Sequence, residues 1–275
     1  MNPATAALGA SLVCPGPGLV EGVRVEVLNT GWVTADWRLV LDTGQSGAVK
    51  LPVLIGHIRH PDGDVYVDAG LGQTSRDGRY PRFPMISANI EVPPGLALVE
   101  QAQAPPATVL LTHLHYDHIG GLLDLDAQTE AWSTLEEWRT ARTSNIAFPE
   151  ARMNAAVKWR IVDLRAGNAD QILGVPAHDV KGDGSIWYLS TPGHTPGAAA
   201  VLVLAEDAPW LFIGDTAWVD DHLGTGMRPR GVSIVVDGRP KEHKESLKWA
   251  RLYKKKCPGL NVVAGHEPRW AENIQ

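Results

Sequence analysis

The feature that most constrains this chain is a cluster of potential metal ligands between residues 113 and 118, with the sequence HLHYDH. It follows Thr108–Leu111, a β-branched and apolar stretch that predicts a short strand. Because side chains two residues apart in an extended segment point the same way, His113 and His115 should face one point. If the chain turns after them, Asp117 and His118 can face a second point beside the first. Imidazole and carboxylate both bind transition metals, so the cluster predicts a metal site.

Three more polar residues stand at predicted strand ends, each beside a glycine that lets the backbone come close. They are His194 in a Thr-Pro-Gly-His turn, Asp215 after the strand Trp210–Ile213, and His266 after the strand Asn261–Ala264. Taken singly each is a weak signal, since a strand-end aspartate is more often a turn residue. Together with the cluster they supply five histidines and two aspartates, which suits two metal ions.

The rest of the chain mixes strand and helix patterns, which favours an α/β or α+β fold of layered sheets with outer helices. We expect an N-terminal arm over residues 1–22 and one domain over residues 23–275, built of two similar halves. Residues 72–95 lack periodicity and predict a long loop. The further predicted strands are Val23–Leu28, Leu51–Ile58, Val65–Val67, Trp187–Leu189 and Ala198–Leu204. The predicted helices are Gly95–Gln103, Ser133–Arg142 with Ser133 as N-cap, and Lys241–Lys256.

The composition of the chain limits its expected cellular location and the kinds of partner it can bind. No stretch of 18 apolar residues occurs, and the first twenty residues carry no Lys or Arg, so we expect neither a membrane span nor a secretory signal. The two cysteines, Cys14 and Cys257, suggest a reducing compartment, and hence the cytoplasm, more than a disulfide scaffold. The formal net charge of -6 disfavours a nucleic-acid partner, which usually meets a basic face.

The order of these ligand candidates resembles the metallo-β-lactamase superfamily, as do the strand end Val67-Asp68-Ala69-Gly70 and the stretch Gly182–Ser185. The resemblance implies a four-layer αβ/βα sandwich with two metals at one edge, between the central sheets. It also implies a division of the ligands, with Asp215 bridging the two metals. By that division the first metal is held by His113, His115 and His194, and the second by Asp117, His118 and His266.

Within the superfamily, the full set of five histidines and two aspartates is most similar to the N-acyl-homoserine lactonases. The commonest zinc β-lactamases place a cysteine where Asp215 stands and lack a ligand like His118. One departure concerns position 218, where those lactonases usually carry a tyrosine that touches the substrate carbonyl. Here Trp218 can donate one hydrogen bond but can neither accept one nor ionise.

The expected activity is therefore that of a dinuclear metal-dependent hydrolase that opens a lactone or cleaves a carboxylic ester. Two divalent ions, zinc first and otherwise iron, manganese or cobalt, can activate a shared water that attacks the carbonyl. Asp215 and Asp117 are the predicted catalytic residues, with Asp117 carrying a proton to the leaving oxygen. The expected partner is a small-molecule ester or lactone, and a homodimer is left open.

Around the metals, the predicted substrate pocket consists of Trp218, His222, Phe83 and Met85, the last two from the long loop. Asp68 and His178 are candidates for hydrogen bonds to the ligand imidazoles. For these residues, turn, loop or packing roles are equally compatible with the sequence. The remaining histidines, His57, His60 and His243, carry no functional signal.

Other activities share the same ligands. A phosphodiesterase or nuclease would need basic groups for phosphate, which the net charge does not favour. A thioesterase of the glyoxalase II type, a β-lactam hydrolase and a mononuclear iron sulfur-dioxygenase fit the motif as well. A non-catalytic binding protein that kept the metal site is a further alternative from a different class. No Gly-x-Ser-x-Gly elbow is present, which argues against a serine hydrolase.

Overall fold

The computed structural model describes residues 13–18, 20–76, 89–143, 156–167, 169–228, 232–233 and 237–271. The strands of this part of the chain form two sheets, one of seven strands and one of six. The first sheet consists of β1 (Arg24–Asp36), β2 (Ala48–Arg59), β3 (Val65–Val67), β4 (Asn89–Glu91), β5 (Thr108–Leu110), β6 (Glu130–Thr134) and β7 (Lys158–Val162). The second consists of β8 (Asp170–Ile172), β9 (Val175–Asp179), β10 (Ile186–Ser190), β11 (Ala199–Leu204), β12 (Pro209–Phe212) and β13 (Asn261–Val263).

Both sheets mix parallel and antiparallel pairs. The first has the order β4-β1-β2-β3-β5-β6-β7, and the second has the order β13-β12-β11-β10-β9-β8. Strands β3, β5, β6 and β7 run parallel, as do β12 and β13. Parallel neighbours end at the same edge, so the residues after β3 and β5 meet at one edge, as do those after β12 and β13.

The described helices lie outside the sheets or in the loops between strands. They are α1 (Trp37–Val40), α2 (Gln73–Arg76), α3 (Leu98–Gln101), α4 (Tyr116–Ile119), α5 (Leu135–Thr143), α6 (Asp220–Leu223), α7 (Pro240–Lys256) and α8 (Pro268–Ala271). Helix α7 begins with a proline at its first position and ends with three lysines in its last turn. Both features suit a helix, because proline needs no N–H partner there and cations complement the helix dipole.

Side chains at alternating positions of a strand face opposite sides of the sheet, and this creates the layers. Val65 and Val67 face the second sheet and share a core with Tyr188 and Phe212, whereas Tyr66 between them packs under the helices of the first sheet. Trp249 and its neighbours on α7 cover the outer face of the second sheet. This is the αβ/βα sandwich that the sequence resemblance implies, with apolar cores between the sheets and beneath the helices on both outer faces.

Several predicted elements differ from the observed ones. The loop predicted over residues 72–95 contains α2 and β4. The helix predicted from Ser133 begins at Leu135, because Ser133 continues β6, and Thr134 Oγ1 accepts the hydrogen bond from Glu137 N at 3.2 Å. Strands β6 to β9 were not predicted, since their short, mixed polar and apolar sequences give no clear period of two.

The cysteine expectation is wrong for this structure. A disulfide joins Cys14 to Cys257, so the segment of residues 13–18 is tied to the end of α7. The sequence could not show this, because proximity across 243 residues depends on the fold. Among the described helices, none combines the length and apolar character needed to cross a membrane.

Candidate metal centre

Strand ends from both sheets deliver the ligand candidates to one edge of the sandwich. Their side chains form two groups. His113, His115, His194 and Asp215 offer ligand atoms that all lie within 4.8 Å of one another. The second group, with the same limit, is Asp117, His118 and His266. All are buried except His115, which is half-buried.

Asp215 lies between the two groups and turns one oxygen to each. Its Oδ2 is 3.3 Å from Nε2 of His194 and 4.0 Å from Nε2 of His113. Its Oδ1 is 3.3 Å from Nε2 of His118 and 3.3 Å from Nε2 of His266. A carboxylate in this position can bind one cation through each oxygen.

The other ring nitrogen of three histidines is anchored in the protein, which fixes the direction of Nε2. His118 Nδ1 is 2.8 Å from Oδ2 of Asp68, and His194 Nδ1 is 3.1 Å from Oδ1 of Asp237. His266 Nδ1 donates to the backbone carbonyl of Pro52 at 2.8 Å. Such anchoring selects the tautomer whose Nε2 lone pair is free for a metal.

The atoms that converge on the centre fit cations. Nε2 of His113, Nε2 of His118 and Oδ1 of Asp215 are buried without a hydrogen-bond partner among the described residues. Buried polar atoms are rarely left in this state, because the lost hydration is costly. Nitrogen and oxygen donors that point at a common space are the arrangement that transition metals require.

Electrostatics support the same conclusion for three of the ligands, His113, His115 and Asp215. Burial lowers the pKa of His113 and of His115 well below the usual histidine range, and neighbouring imidazoles lower it further, so both rings are neutral. Burial raises the pKa of Asp215, but His266 and His118 beside it outweigh that effect and hold its pKa well below the usual range. His113 and His115 are therefore neutral ligands of the first group, and the shared carboxylate is ionised.

Asp68 supports the centre, as the sequence predicted, although it is not among the grouped ligands. It follows β3 with a φ of 62°, and its carboxylate accepts hydrogen bonds from N and Oγ1 of Thr112 at 2.7 and 2.8 Å. The same carboxylate holds His118. His178 behaves differently, because it lies on β9 with its ring centroid 5.6 Å from that of Trp132.

Sequence reasoning missed two buried acids that hold the ligand loops. Glu137 on α5 accepts hydrogen bonds from Leu114 N at 2.9 Å and from Gly197 N at 3.1 Å, which links the 113–118 loop to the His194 turn. Asp237 is fully buried and binds His194. The sequence predicted a helix N-terminus one residue earlier, with Ser133 as N-cap; the spacing from Thr134 to Glu137 is the signal that could have indicated Glu137.

Glycines bring the ligand loops close to their neighbours, as expected from their places in the sequence. Gly193 has a φ of 144°, and a Cβ there would lie 2.1 Å from the backbone nitrogen of His243. A Cβ on Gly265 would lie 2.6 Å from Oδ1 of Asp215. Any side chain at these two positions would displace His194 or Asp215.

The structure describes two of the four residues of the predicted substrate pocket, Trp218 and His222. Trp218 is half-buried and its indole N–H donates to Oδ2 of Asp215 at 2.7 Å, so this N–H is not directed at a substrate. His222, predicted at the pocket rim, is buried, with its Nε2 on the carbonyl of Val40 and its Nδ1 accepting from Trp218 N. Burial lowers its pKa to about 4, so this ring is a neutral packing element. The predicted pocket residues Phe83 and Met85 lie outside the described residues.

Comparison with known proteins identifies the family. Residues 48–266 match the sequence model of the metallo-beta-lactamase superfamily. The chain belongs to this superfamily. The predictions of family and fold are thereby confirmed.

Relatives within the metallo-beta-lactamase superfamily include lactonases and other hydrolases. N-acyl homoserine lactonase AttM of Rhizobium radiobacter is 25% identical over 267 residues, which cover 90% of this chain and 95% of the lactonase. Hydroxyacylglutathione hydrolase of Legionella pneumophila (strain Corby) is 27% identical over 179 residues, covering 64% of this chain and 54% of that hydrolase. These relatives and the potential metal ligands confirm the prediction of a metal-dependent hydrolase.

Solved structures of lactonases share the fold. An N-acyl homoserine lactone hydrolase with the product N-hexanoyl-L-homoserine at its catalytic metal center has a TM-score of 0.74 at 16% identity, covering 94% of this chain and 98% of that one. AidC, a dizinc quorum-quenching lactonase, has a TM-score of 0.61 at 16% identity, covering 94% of this chain and 92% of AidC.

Proposed function

We propose that this protein is a dinuclear metal-dependent hydrolase that opens a lactone or cleaves another carboxylic ester. The observation that carries the proposal is the position of Asp215, whose two oxygens face two separate groups of ligand atoms. In this assignment His113, His115 and His194 hold one ion, and Asp117, His118 and His266 hold the other. Asp215 is shared between them.

The chemistry follows from this division. Divalent ions held by these residues would supply a Lewis acid that activates water and polarises a carbonyl oxygen. The protein's own contribution is to fix the imidazoles through Asp68, Asp237 and the carbonyl of Pro52, and to keep the ligand atoms buried. We assign Asp117, whose Oδ2 is 3.6 Å from His266 Nε2, to carry a proton to the leaving oxygen.

A lactone or apolar ester is favoured over a phosphodiester. The full-length relative AttM is a lactonase, and the chain's net charge of -6 offers no attraction to a polyanion. The half-buried ring of Trp218 next to Asp215 provides apolar contact area at the centre. Quorum-signal lactones are therefore the first substrates to test.

Zinc is the metal we propose first, because five imidazoles and two carboxylates form a nitrogen-rich set. Iron, manganese and cobalt are the alternatives.

Thioester hydrolysis is a second candidate function, favoured by the match to hydroxyacylglutathione hydrolase over 64% of the chain. A homodimer and a cytoplasmic location stay predictions. The cytoplasmic location was predicted from reduced cysteines, and the Cys14–Cys257 disulfide argues against that reason.

A substrate panel tests the proposal. Metal-loaded protein is assayed on acyl-homoserine lactones, aryl esters, a glutathione thioester, a phosphodiester and a β-lactam, with chelator-treated protein as the control. We expect the highest kcat/KM on a lactone or ester, and its loss on chelation. A phosphodiester or β-lactam cleaved far faster than every lactone and ester would overturn the substrate class. Fastest turnover of the thioester would select the second candidate.

A further inference from the structure

The indole of Trp218 makes the two oxygens of the shared carboxylate unequal. Its Nε1–H donates a 2.7 Å hydrogen bond to Oδ2 of Asp215, the oxygen that faces His194 and His113. Oδ1, which faces the second group, has no hydrogen-bond partner in the described part of the chain. A donor on a carboxylate oxygen withdraws negative charge from it, so Oδ2 is the weaker ligand for a cation.

A buried arginine holds the indole in this place. The guanidinium carbon of Arg228 lies 4.2 Å from the ring centroid of Trp218, and its side chain is buried. The same guanidinium donates to the backbone carbonyl of Asp215 and to Oδ1 of Asp237. Because Asp237 is also the partner of His194, the cation partly neutralises the carboxylate that supports this ligand.

The orientation of Asp215 does not depend on the indole N–H alone. Oδ1 packs so closely on Gly265 that a Cβ there would lie 2.6 Å away. Asp215 also lies in a buried 3-10 turn, Gly214–Thr216. Removing the N–H while keeping an aromatic ring should therefore leave the carboxylate in position and change only its charge.

The other ligands of the two groups also differ in the negative charge that they bring to the metal. The second group has a carboxylate of its own, Asp117, and its His118 is supported by Asp68 at 2.8 Å. Among the described residues, the first group has only the shared carboxylate, through the oxygen that Trp218 engages. Both differences place more negative charge on the second group.

We infer that Trp218, acting through its hydrogen bond to Asp215, loosens the ion held by the first group, so that this ion dissociates before the other. The inference rests on the proposed dinuclear site. The homoserine lactonases usually carry a tyrosine at this position, which contacts the substrate carbonyl. Here Trp218 acts on metal retention instead.

Zn²⁺ titration in competition with a chromophoric chelator tests this directly. We expect two dissociation constants for the wild type. Trp218→Phe, which keeps the ring and removes the N–H, should tighten the weaker constant roughly tenfold and leave the stronger one unchanged. Trp210→Phe is the matched control, since the Trp210 indole nitrogen has no partner among the described residues and lies outside both ligand groups.

A double-mutant cycle assigns the effect to one group. His115→Ala removes a ligand of the first group and should abolish the weaker constant, after which adding Trp218→Phe should change nothing. A loss of structure would weaken the binding of both ions and lower the melting temperature. This is opposite to the tighter binding that the inference predicts. Unchanged or weakened binding in a folded Trp218→Phe protein that still holds two ions overturns the inference. A wild type that holds one ion overturns the proposed function instead.

Discussion

The two ends of the sandwich carry the same residue types and use them differently. Strands β3 and β10 end near the metal centre and begin near a far-end cluster of His60, Asp183 and Ser185. In this cluster His60 Nε2 is 3.0 Å from Asp183 Oδ2 and 3.2 Å from Ser185 Oγ, and its Nδ1 accepts from Asp62 N. Both nitrogens of this buried ring are thus satisfied within the protein.

At the candidate metal centre, by contrast, several of the converging atoms lack a hydrogen-bond partner. Nε2 of His113, Nε2 of His118 and Oδ1 of Asp215 have no hydrogen-bond partner in the described part of the chain. In this protein the two clusters differ in whether buried polar atoms are left without a partner, and not in whether a histidine lies beside an aspartate. The far-end cluster instead joins the turn after β2 to the turn before β10.

The largest effect should come from the shared carboxylate. Asp215→Ala removes the carboxylate that faces both groups, and two cations without a bridging anion repel each other. We expect kcat/KM to fall by about a thousandfold or more, with loss of one ion per chain. Activity assays and elemental analysis of the same sample measure both. Full activity in this variant would mean that the bridge is misplaced.

Glu137 should rank second, because it supports the metal end from within the protein. Glu137→Ala leaves the buried N–H groups of Leu114 and Gly197 without their acceptor, which should cost about 2–4 kcal/mol of unfolding free energy. Metal affinity should fall too, since both ligand loops lose a common support. Glu136→Ala is the control, because its pair with Arg239 is partly exposed and should contribute at most about 1 kcal/mol.

Denaturant unfolding and metal titration distinguish these outcomes for the two glutamates. Equal destabilisation by both substitutions would show that Glu137 has no special part in the metal end. A stability loss in Glu137→Ala without any change in metal affinity would limit its role to the fold.

The far end should give the smallest effect, confined to stability. His60→Ala removes the bonds to Asp183 and Ser185 and should cost about 1–2 kcal/mol, with metal content and kcat/KM unchanged. Thermal unfolding and elemental analysis check this. Loss of a metal ion in His60→Ala would break the comparison between the two ends.

The ligand set could be predicted from the sequence because each member has a local signal. His113 to His118 form a dense motif, and Asp215 and His266 follow apolar strands beside glycines. The structure brings all seven predicted ligands together in the two groups. The layered fold was predicted as well, through its alternating strands and through the family resemblance.

What could not be predicted depends on contacts that are distant in sequence. Asp237 reaches His194 across 43 residues, and Cys14 reaches Cys257 across 243. The hydrogen bond from Trp218 to Asp215 spans three residues, but it depends on a turn whose geometry the sequence does not specify. The burial of His222 could not be predicted either, because a histidine near a site gives no sign of being buried.

The central claim is that Asp215 joins two separate metal positions. Elemental analysis of the wild-type protein, reconstituted with Zn²⁺ and freed of excess metal, tests it most directly. The account predicts close to two ions per chain. At most one tightly held ion after reconstitution would contradict it.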